Sequence, residues 1–153
     1  MIDKIAEKLS QMSKEELIEL IRMLCDNKAN VQKLSLLVAP TQKDFERAIS
    51  QFESCCDRCY CNSDSEAVFD ALYEKANVLM MSADKARIEM RAKIYYEILR
   101  SIHIYQLYEF CDDGIADFCF DAEDELKGLI EEHGDKFPDA ILKKYRSVVD
   151  FND

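Results

Sequence analysis

The residues best suited to chemistry lie in one short stretch, QFESCCDRCYC, at positions 51–61. Four of the seven cysteines in the chain fall within it, at Cys55, Cys56, Cys59 and Cys61. A zinc site takes four thiolate or imidazole ligands, commonly as two close pairs from separate segments. Cys56 and Cys59 have the C-x2-C spacing of one such pair. The second pair would have to come from Cys111 and Cys119, which lie eight positions apart.

The same stretch also has the spacing of a buried helix face. Steps of four, three, four and three residues connect Phe45, Ile49, Phe52, Cys56 and Cys59. Such steps place residues on one side of an α-helix, and a free cysteine packs in a core like a small apolar residue. We therefore expect core cysteines, with no metal and no cofactor. A metal site and a redox sensor built from the four clustered cysteines are the alternatives.

A second candidate is the acidic segment EFCDDGIADFCFDAEDE, residues 109–125, which holds eight acids. No Lys or Arg occurs from position 101 to position 126. A calcium loop needs the order D-x-[DN]-x-[DN]-G, whereas Gly114 follows only two adjacent aspartates. Acids at a helix start also interact favourably with the helix dipole, which is the structural alternative. We predict that this segment contacts a partner protein with a basic surface, through Asp112, Asp113, Asp117 and Asp121.

The residues needed for catalysis are few. The chain has two histidines, His103 and His133, and contains no H-E-x-x-H, G-x-S-x-G or G-x-G-x-x-G motif. His103 lies in the middle of a predicted helix, and His133 lies at the end of one, where a cation complements the helix dipole. No nucleophile is paired with a base by a recognisable motif. We therefore predict that the protein is not an enzyme.

Composition narrows the class of protein further. The 153 residues carry a net charge of −11 and are 48% hydrophobic, which suits one globular domain spanning 1–153. The negative charge disfavours nucleic acid and anionic membrane as partners. The start MIDKIAEKLSQM mixes charged residues with apolar ones at helical spacing, which is not typical of a signal peptide. An odd number of cysteines without a paired framework indicates a reducing compartment, so we expect a cytoplasmic protein.

The hydrophobic pattern predicts an all-α fold. Only three glycines and two prolines are present, which favours long helices joined by short loops. We expect about seven helices, arranged as stacked antiparallel hairpins or as an irregular bundle. Capping boxes are predicted at Ser13 with Glu16, Thr41 with Asp44 and Ser63 with Glu66, and Asn30 is predicted to cap the second helix. The aromatic-rich stretch 93–110 is predicted to belong to a long central helix, and Gly114 is predicted to interrupt that helix.

Two segments resemble a known family. SKEELIELIRML, at 13–24, and IYYEILRSIHIYQLYEFCDDGIADFCFDAEDEL, at 94–126, are similar to the helical region that follows the zinc finger in bacterial SWIM-domain proteins. Asp112, Asp113 and Gly114 fall on the acidic and glycine positions of its signature. The C-x-C…C-x-H ligand pattern of the finger is absent, because no C-x-H follows Cys59 and Cys61. The resemblance implies an all-α module without the zinc finger, and it carries no known activity.

From these features we expect a non-catalytic, cytoplasmic, helical protein-interaction module. One alternative is an acidic inhibitor that mimics the charge of nucleic acid and blocks a basic protein. The other is the cysteine-based metal or redox sensor described above. The sequence does not indicate an oligomeric state.

Overall fold

The computed structural model describes residues 2–25, 27–62, 66–107 and 113–149, and no strand occurs in these ranges. The helices in them are α1 (Ile2–Gln11), α2 (Lys14–Leu24), α3 (Lys28–Val38), α4 (Gln42–Cys61), α5 (Glu66–Ala83), α6 (Ile88–Ile104), α7 (Asp113–His133) and α8 (Asp139–Val149). One turn of 3-10 helix, Gly134–Lys136, follows α7. The predicted all-α fold is confirmed.

The additional helix relative to the seven expected is α1. Its sequence, IDKIAEKLSQ, repeats apolar residues at helical spacing and has Asp3 in the first turn and Lys8 in the last. Both charges interact favourably with the helix dipole at their own end. The segment has no capping residue that would mark its start, so the pattern was recognised as helical without being counted as a separate element.

Two of the predicted capping boxes are confirmed. At the start of α2 the backbone N–H of Glu16 donates to Ser13 Oγ (3.2 Å), and the Ser13 N–H donates to the Glu16 carboxylate (2.8 Å). Thr41 and Asp44 make the same reciprocal pair at the start of α4. Each box satisfies backbone donors that lack a partner within the helix. The third predicted box involves Ser63, which lies outside the described residues.

The predicted cap at Asn30 is wrong by three residues, since α3 begins at Lys28. Asn27 has the capping role, because its Oδ1 accepts from the backbone N–H of Asn30 at 2.9 Å. The Asn30 side chain instead donates to the carbonyl of Leu24, at 2.8 Å. That carbonyl is in the last turn of α2, where helical backbone acceptors have no partner within the helix. Asn30 therefore helps to end one helix while Asn27 begins the next.

The chain divides into two compact units, an N-terminal unit of residues 1–35 and a C-terminal unit of residues 36–153. In the N-terminal unit, no residue of α2 is buried. The apolar core described below belongs to the C-terminal unit. That residues 1–153 fold as one domain stays a prediction.

The central element of the C-terminal unit is α6, which contacts α4, α5, α7 and α8. Its buried side chains are Ala92, Ile94, Tyr95, Ile98, Leu99, Ser101 and Ile102. A fully buried Ile or Leu side chain contributes roughly 1.5–3 kcal/mol of transfer free energy, so this helix is a large part of the core. Its central position was predicted and is confirmed. The contacts of one helix with four others indicate a bundle rather than a linear stack.

Polar side chains of α6 connect it to its neighbours at two points. The Arg100 guanidinium donates to Glu97 (2.6 Å) and to Glu53 of α4 (3.0 Å). Arg91 donates to the carbonyl of Ala83, the last residue of α5, and to that of Asp84. A basic side chain at these carbonyls satisfies acceptors at the end of α5.

Candidate protein-contact surface on α7

One side of α7 faces the core, as the sequence predicted. Its buried side chains are Ile115, Cys119, Ala122, Glu123, Leu126 and Leu129. Apart from Glu123 these belong to the apolar stripe expected from the 3.6-residue period. The stripe fixes which side chains of α7 point to solvent.

The opposite side of α7 carries the acidic face, defined here as Asp117, Phe120, Asp121 and Asp124. The four residues are spaced three, one and three positions apart, so they share one side of the helix. All are exposed, and Phe120 is 64% exposed in the midst of the three acids. Within the described part of the chain, no Lys, Arg or His forms an ion pair with these carboxylates. An unburied aromatic ring is therefore surrounded by unneutralised negative charge.

The structure describes part of the predicted contact set. Asp117 and Asp121 lie on the acidic face as expected. Asp113 is the first residue of α7, and Asp112 lies outside the described residues. Phe120 was missed because the predicted contact set contained only acids, although its spacing from Asp117 and Asp121 places it on the same side of the helix. Its exposure follows from its helical angle, which places it beside Asp117 and Asp121 rather than beside Ile115 and Cys119.

Glu123 differs from Asp117, Asp121 and Asp124 because it is buried. Only 5% of it is exposed, and its carboxylate forms an ion pair with Lys127 at 2.7 Å. Glu and Lys four positions apart on a helix are a favourable pair, and this spacing was readable in the sequence. A buried carboxylate without such a partner would be costly. The acidic segment is therefore neutralised at Glu123, although it is not at Asp117 and Asp121.

Gly114 does not interrupt α6 as predicted, since it lies in the first turn of α7. A Cβ atom at this position would lie 3.1–3.2 Å from the Tyr73 side chain of α5, which is closer than most real Cβ contacts. The same ring stacks on Phe118, with centroids 5.8 Å apart. The glycine is thus explained by a close approach of α5, and it positions the beginning of α7.

The cysteine cluster is divided between core and surface. Cys56 and Cys59 are buried, as the helix-face interpretation predicted; Cys55 is buried as well, whereas Cys61 is exposed at the end of α4. Arg58 Nη2 donates to Cys55 Sγ at 2.8 Å, and Cys59 Sγ donates to the carbonyl of Val68 at 3.5 Å. Among the described residues, no three His, Cys, Asp or Glu side chains converge as a metal site would require. Cys111 lies outside those residues.

The thiols of Cys56 and Cys59 are held in the protonated form. Burial raises the pKa of Cys56 well above its usual range, and the neighbouring Cys59, Cys55, Glu53 and Cys119 add to the rise. Burial likewise raises the pKa of Cys59 to about 11. The thiolate is both the metal ligand and the nucleophile, so these shifts disfavour metal binding and thiol chemistry at neutral pH. The six cysteines in the described residues form no disulfide.

The two histidines lie on different helices. His103 is exposed on α6. His133 ends α7, with Nε2 3.8 Å from the Glu132 carboxylate. That His133 complements the dipole of this helix stays a prediction.

Comparison of the chain with protein-family models, with curated proteins and with solved structures finds no match. The resemblance to the helical region of SWIM-domain proteins therefore stays a prediction. Among the described helices, none combines the length and the apolar character that a bilayer-spanning segment requires.

Proposed function

We propose that this chain is a non-catalytic, cytoplasmic protein-interaction module that binds the basic surface of a partner protein through the acidic face of α7. The observation that carries the proposal is the exposed ring of Phe120 among three carboxylates that lack a basic partner in the described residues. Aromatic residues are enriched among the anchors of protein interfaces. Charge complementarity at the rim steers association and selects the partner.

The energetics of the acidic face favour a basic partner. Asp117 and Asp121 lie four residues apart, and a like-charge pair at this spacing costs a few tenths of a kcal/mol in a helix. Lys or Arg side chains from a partner would relieve that repulsion. An Arg or Lys placed over the Phe120 ring would add a cation–π contact of roughly 0.5–2 kcal/mol. The same surface therefore offers both apolar area and charge to one class of partner.

The proposal is tested by affinity capture from native cell lysate with the Asp117→Lys/Asp121→Lys variant. The matched control is Glu66→Lys/Asp70→Lys, which reverses two exposed acids at the same spacing on α5. We expect the partner captured by the wild-type chain to be lost with the first variant and kept with the control. Equal loss with both variants would mean that only the total charge matters.

Capture at two salt concentrations separates the proposal from the alternative of an acidic nucleic-acid mimic. A mimic binds through charge alone, and its complex should weaken steeply as salt screens it. A complex anchored by Phe120 should survive moderate salt and should weaken when Phe120 is replaced by Ser. The sensor alternative has less support, because burial raises the pKa of Cys56 and of Cys59.

A further inference from the structure

The N-terminal unit contains well-defined helices whose apolar side chains are left exposed. Six of the eleven exposed large hydrophobic residues in the described chain belong to it, although it is less than a quarter of the sequence; they are Ile5, Ile18, Ile21, Met23, Leu24 and Val31. The capping box at Ser13 defines where α2 begins, so the helix is specified locally even though none of its residues is buried. On α2, the exposed Ile18 and Ile21 are three residues apart and therefore adjacent on one side of the helix, and contiguous exposed apolar surface marks an interaction site.

The charge of this unit differs from that of the rest of the chain. Residues 1–35 contain six Lys or Arg and six Asp or Glu, so they are neutral. The entire net charge of −11 therefore lies in residues 36–153. Two copies of the chain would repel each other through their C-terminal units. The neutral unit is the one part of the chain through which copies can associate without such repulsion.

The charges on α2 are arranged so that the helix is complementary to itself. Glu15 lies three residues before Ile18 and Arg22 lies four residues after it, so all three share one side of the helix with Ile21 beside them. Glu15 and Glu16 lie in the first turn of α2 and Arg22 lies in the last, where it also forms an exposed ion pair with Glu19 of its own helix at 3.5 Å. When two such helices pack antiparallel about a two-fold axis, the acidic start of each lies beside the basic end of the other.

We propose that α2 is a homodimerisation surface, on which Ile18 and Ile21 of one chain pack against Ile21 and Ile18 of a second copy. Glu15 of each copy then lies near Arg22 of the other. The contact is isologous, so it closes as a dimer and does not propagate into a filament. It uses no residue of the acidic face of α7 and does not depend on the function proposed above. In the dimer, the second copy covers the apolar side chains of α2 that are exposed in a single chain.

Sedimentation velocity of the full chain tests the proposal with a closely matched pair of variants. Ile21→Glu and Ile104→Glu make the same change at residues that are 44% and 53% exposed, the second lying on α6. At roughly 100 µM, where a Kd of about 10 µM leaves most chains paired, the wild type should sediment at twice the 17.8 kDa of the chain. Ile104→Glu should stay dimeric. Ile21→Glu should raise the Kd by at least roughly 100-fold, because two-fold symmetry applies the substitution twice.

A charge swap tests the antiparallel arrangement separately. Arg22→Glu should weaken the dimer several-fold, and the double variant Glu15→Arg/Arg22→Glu should recover it, because the swapped charges again face each other. A monomeric wild type, a dimer that resists Ile21→Glu while circular dichroism shows intact helices, or no recovery in the double variant would overturn the proposal.

Discussion

The ring of Tyr73 on α5 stacks on Phe118 of α7, with centroids 5.8 Å apart and planes inclined by 28°. One turn earlier, a Cβ atom at Gly114 would lie 3.1 Å from the hydroxyl and 3.2 Å from the ring carbons of the same side chain. The first turn of α7 is therefore held closely against α5 at the point where the acidic face begins. Gly114 is the residue that allows this approach.

The contact predicts that alanine substitutions at two glycines of α7 change the free energy of unfolding by different amounts. Gly128 has no atom within 4 Å of the position that a Cβ would take, so Gly128→Ala should stabilise the protein by about 1 kcal/mol through helix propensity. Gly114→Ala should lose most or all of that gain, because Tyr73 is held by Phe118 and cannot retreat freely. Urea unfolding measures both values. A Tyr73→Ala background should restore the gain at Gly114, and equal stabilisation by the two alanines in the wild type would contradict the assignment.

Ser101 gives a second prediction. Its hydroxyl is buried in α6 and forms no hydrogen bond with any described residue, whereas the hydroxyl of Ser82, also buried, donates to the carbonyl of Leu79 at 2.9 Å. A buried polar group without a partner destabilises a protein by roughly 1–3 kcal/mol. Ser101→Ala should therefore raise the free energy of unfolding by about 1 kcal/mol, and Ser82→Ala should lower it or leave it unchanged. Thermal unfolding of the two variants, measured side by side, shows whether each substitution raises or lowers the free energy of unfolding.

Local patterns were sufficient to predict much of the fold. The cysteine-bearing face of α4 and the capping boxes at Ser13 and Thr41 depend on residues within four positions of one another, so their spacing determines the structure. The cap of α3 was misassigned because Asn27 and Asn30 both have side chains suited to capping. Only the point at which α2 ends distinguishes them, and that point depends on the Asn30 bond to the Leu24 carbonyl.

The candidate site was predictable only in part, because contacts between helices decide the rest. The spacing of Asp117 and Asp121 indicated a shared helix face, and their exposure agrees with it. The role of Gly114 depends on Tyr73, which is 41 positions away in the chain and on another helix. The exposure of Phe120, in contrast, follows from its spacing, because it lies three residues after Asp117 and away from the apolar side of α7. Only the role of Gly114 leaves no local pattern in the sequence.

Stability should fall at alkaline pH because thiol and phenol groups buried in the core have raised pKa values. Burial raises the pKa of the Cys59 thiol from 9.0 to about 11. A raised pKa in the folded state means that the protonated thiol is favoured there. The protonated Cys59 thiol therefore stabilises the folded protein fully below pH 9, and this stabilisation is lost as the pH rises towards 11. Urea unfolding with a reductant present, at pH 8 and at pH 10.5, should show a loss of about 2 kcal/mol from this residue.

The control for the pH prediction is Cys59→Ala, which removes the titrating group. This variant should be less stable than the wild type at pH 8 and should lose less stability between the two pH values. Burial also raises the pKa of Tyr95 and of Tyr145, each to about 12, so part of the alkaline loss should remain. An unchanged pH dependence in Cys59→Ala would show that the thiol titrates normally in the folded protein.

Reversing the charges of the acidic face should leave the fold intact. In Asp117→Lys/Asp121→Lys, the like-charge pairs of position 117 with Asp113 and of position 121 with Glu125 become attractive pairs at i,i+4 spacing. One repulsive pair, between the two new lysines, replaces the pair between the original aspartates. At a few tenths of a kcal/mol per pair, the variant should be more stable by roughly 0.5–1 kcal/mol.

The control Glu66→Lys/Asp70→Lys gains only one such pair, position 70 with Glu74, and it places a cation at the start of α5, where the helix dipole disfavours it. It should therefore be neutral or slightly destabilised in the same urea titration. A loss of more than about 1 kcal/mol in Asp117→Lys/Asp121→Lys, well beyond that of the control, would mean that these carboxylates stabilise the bundle. The acidic face would then be a structural feature of α7, and its assignment as a contact surface would be withdrawn.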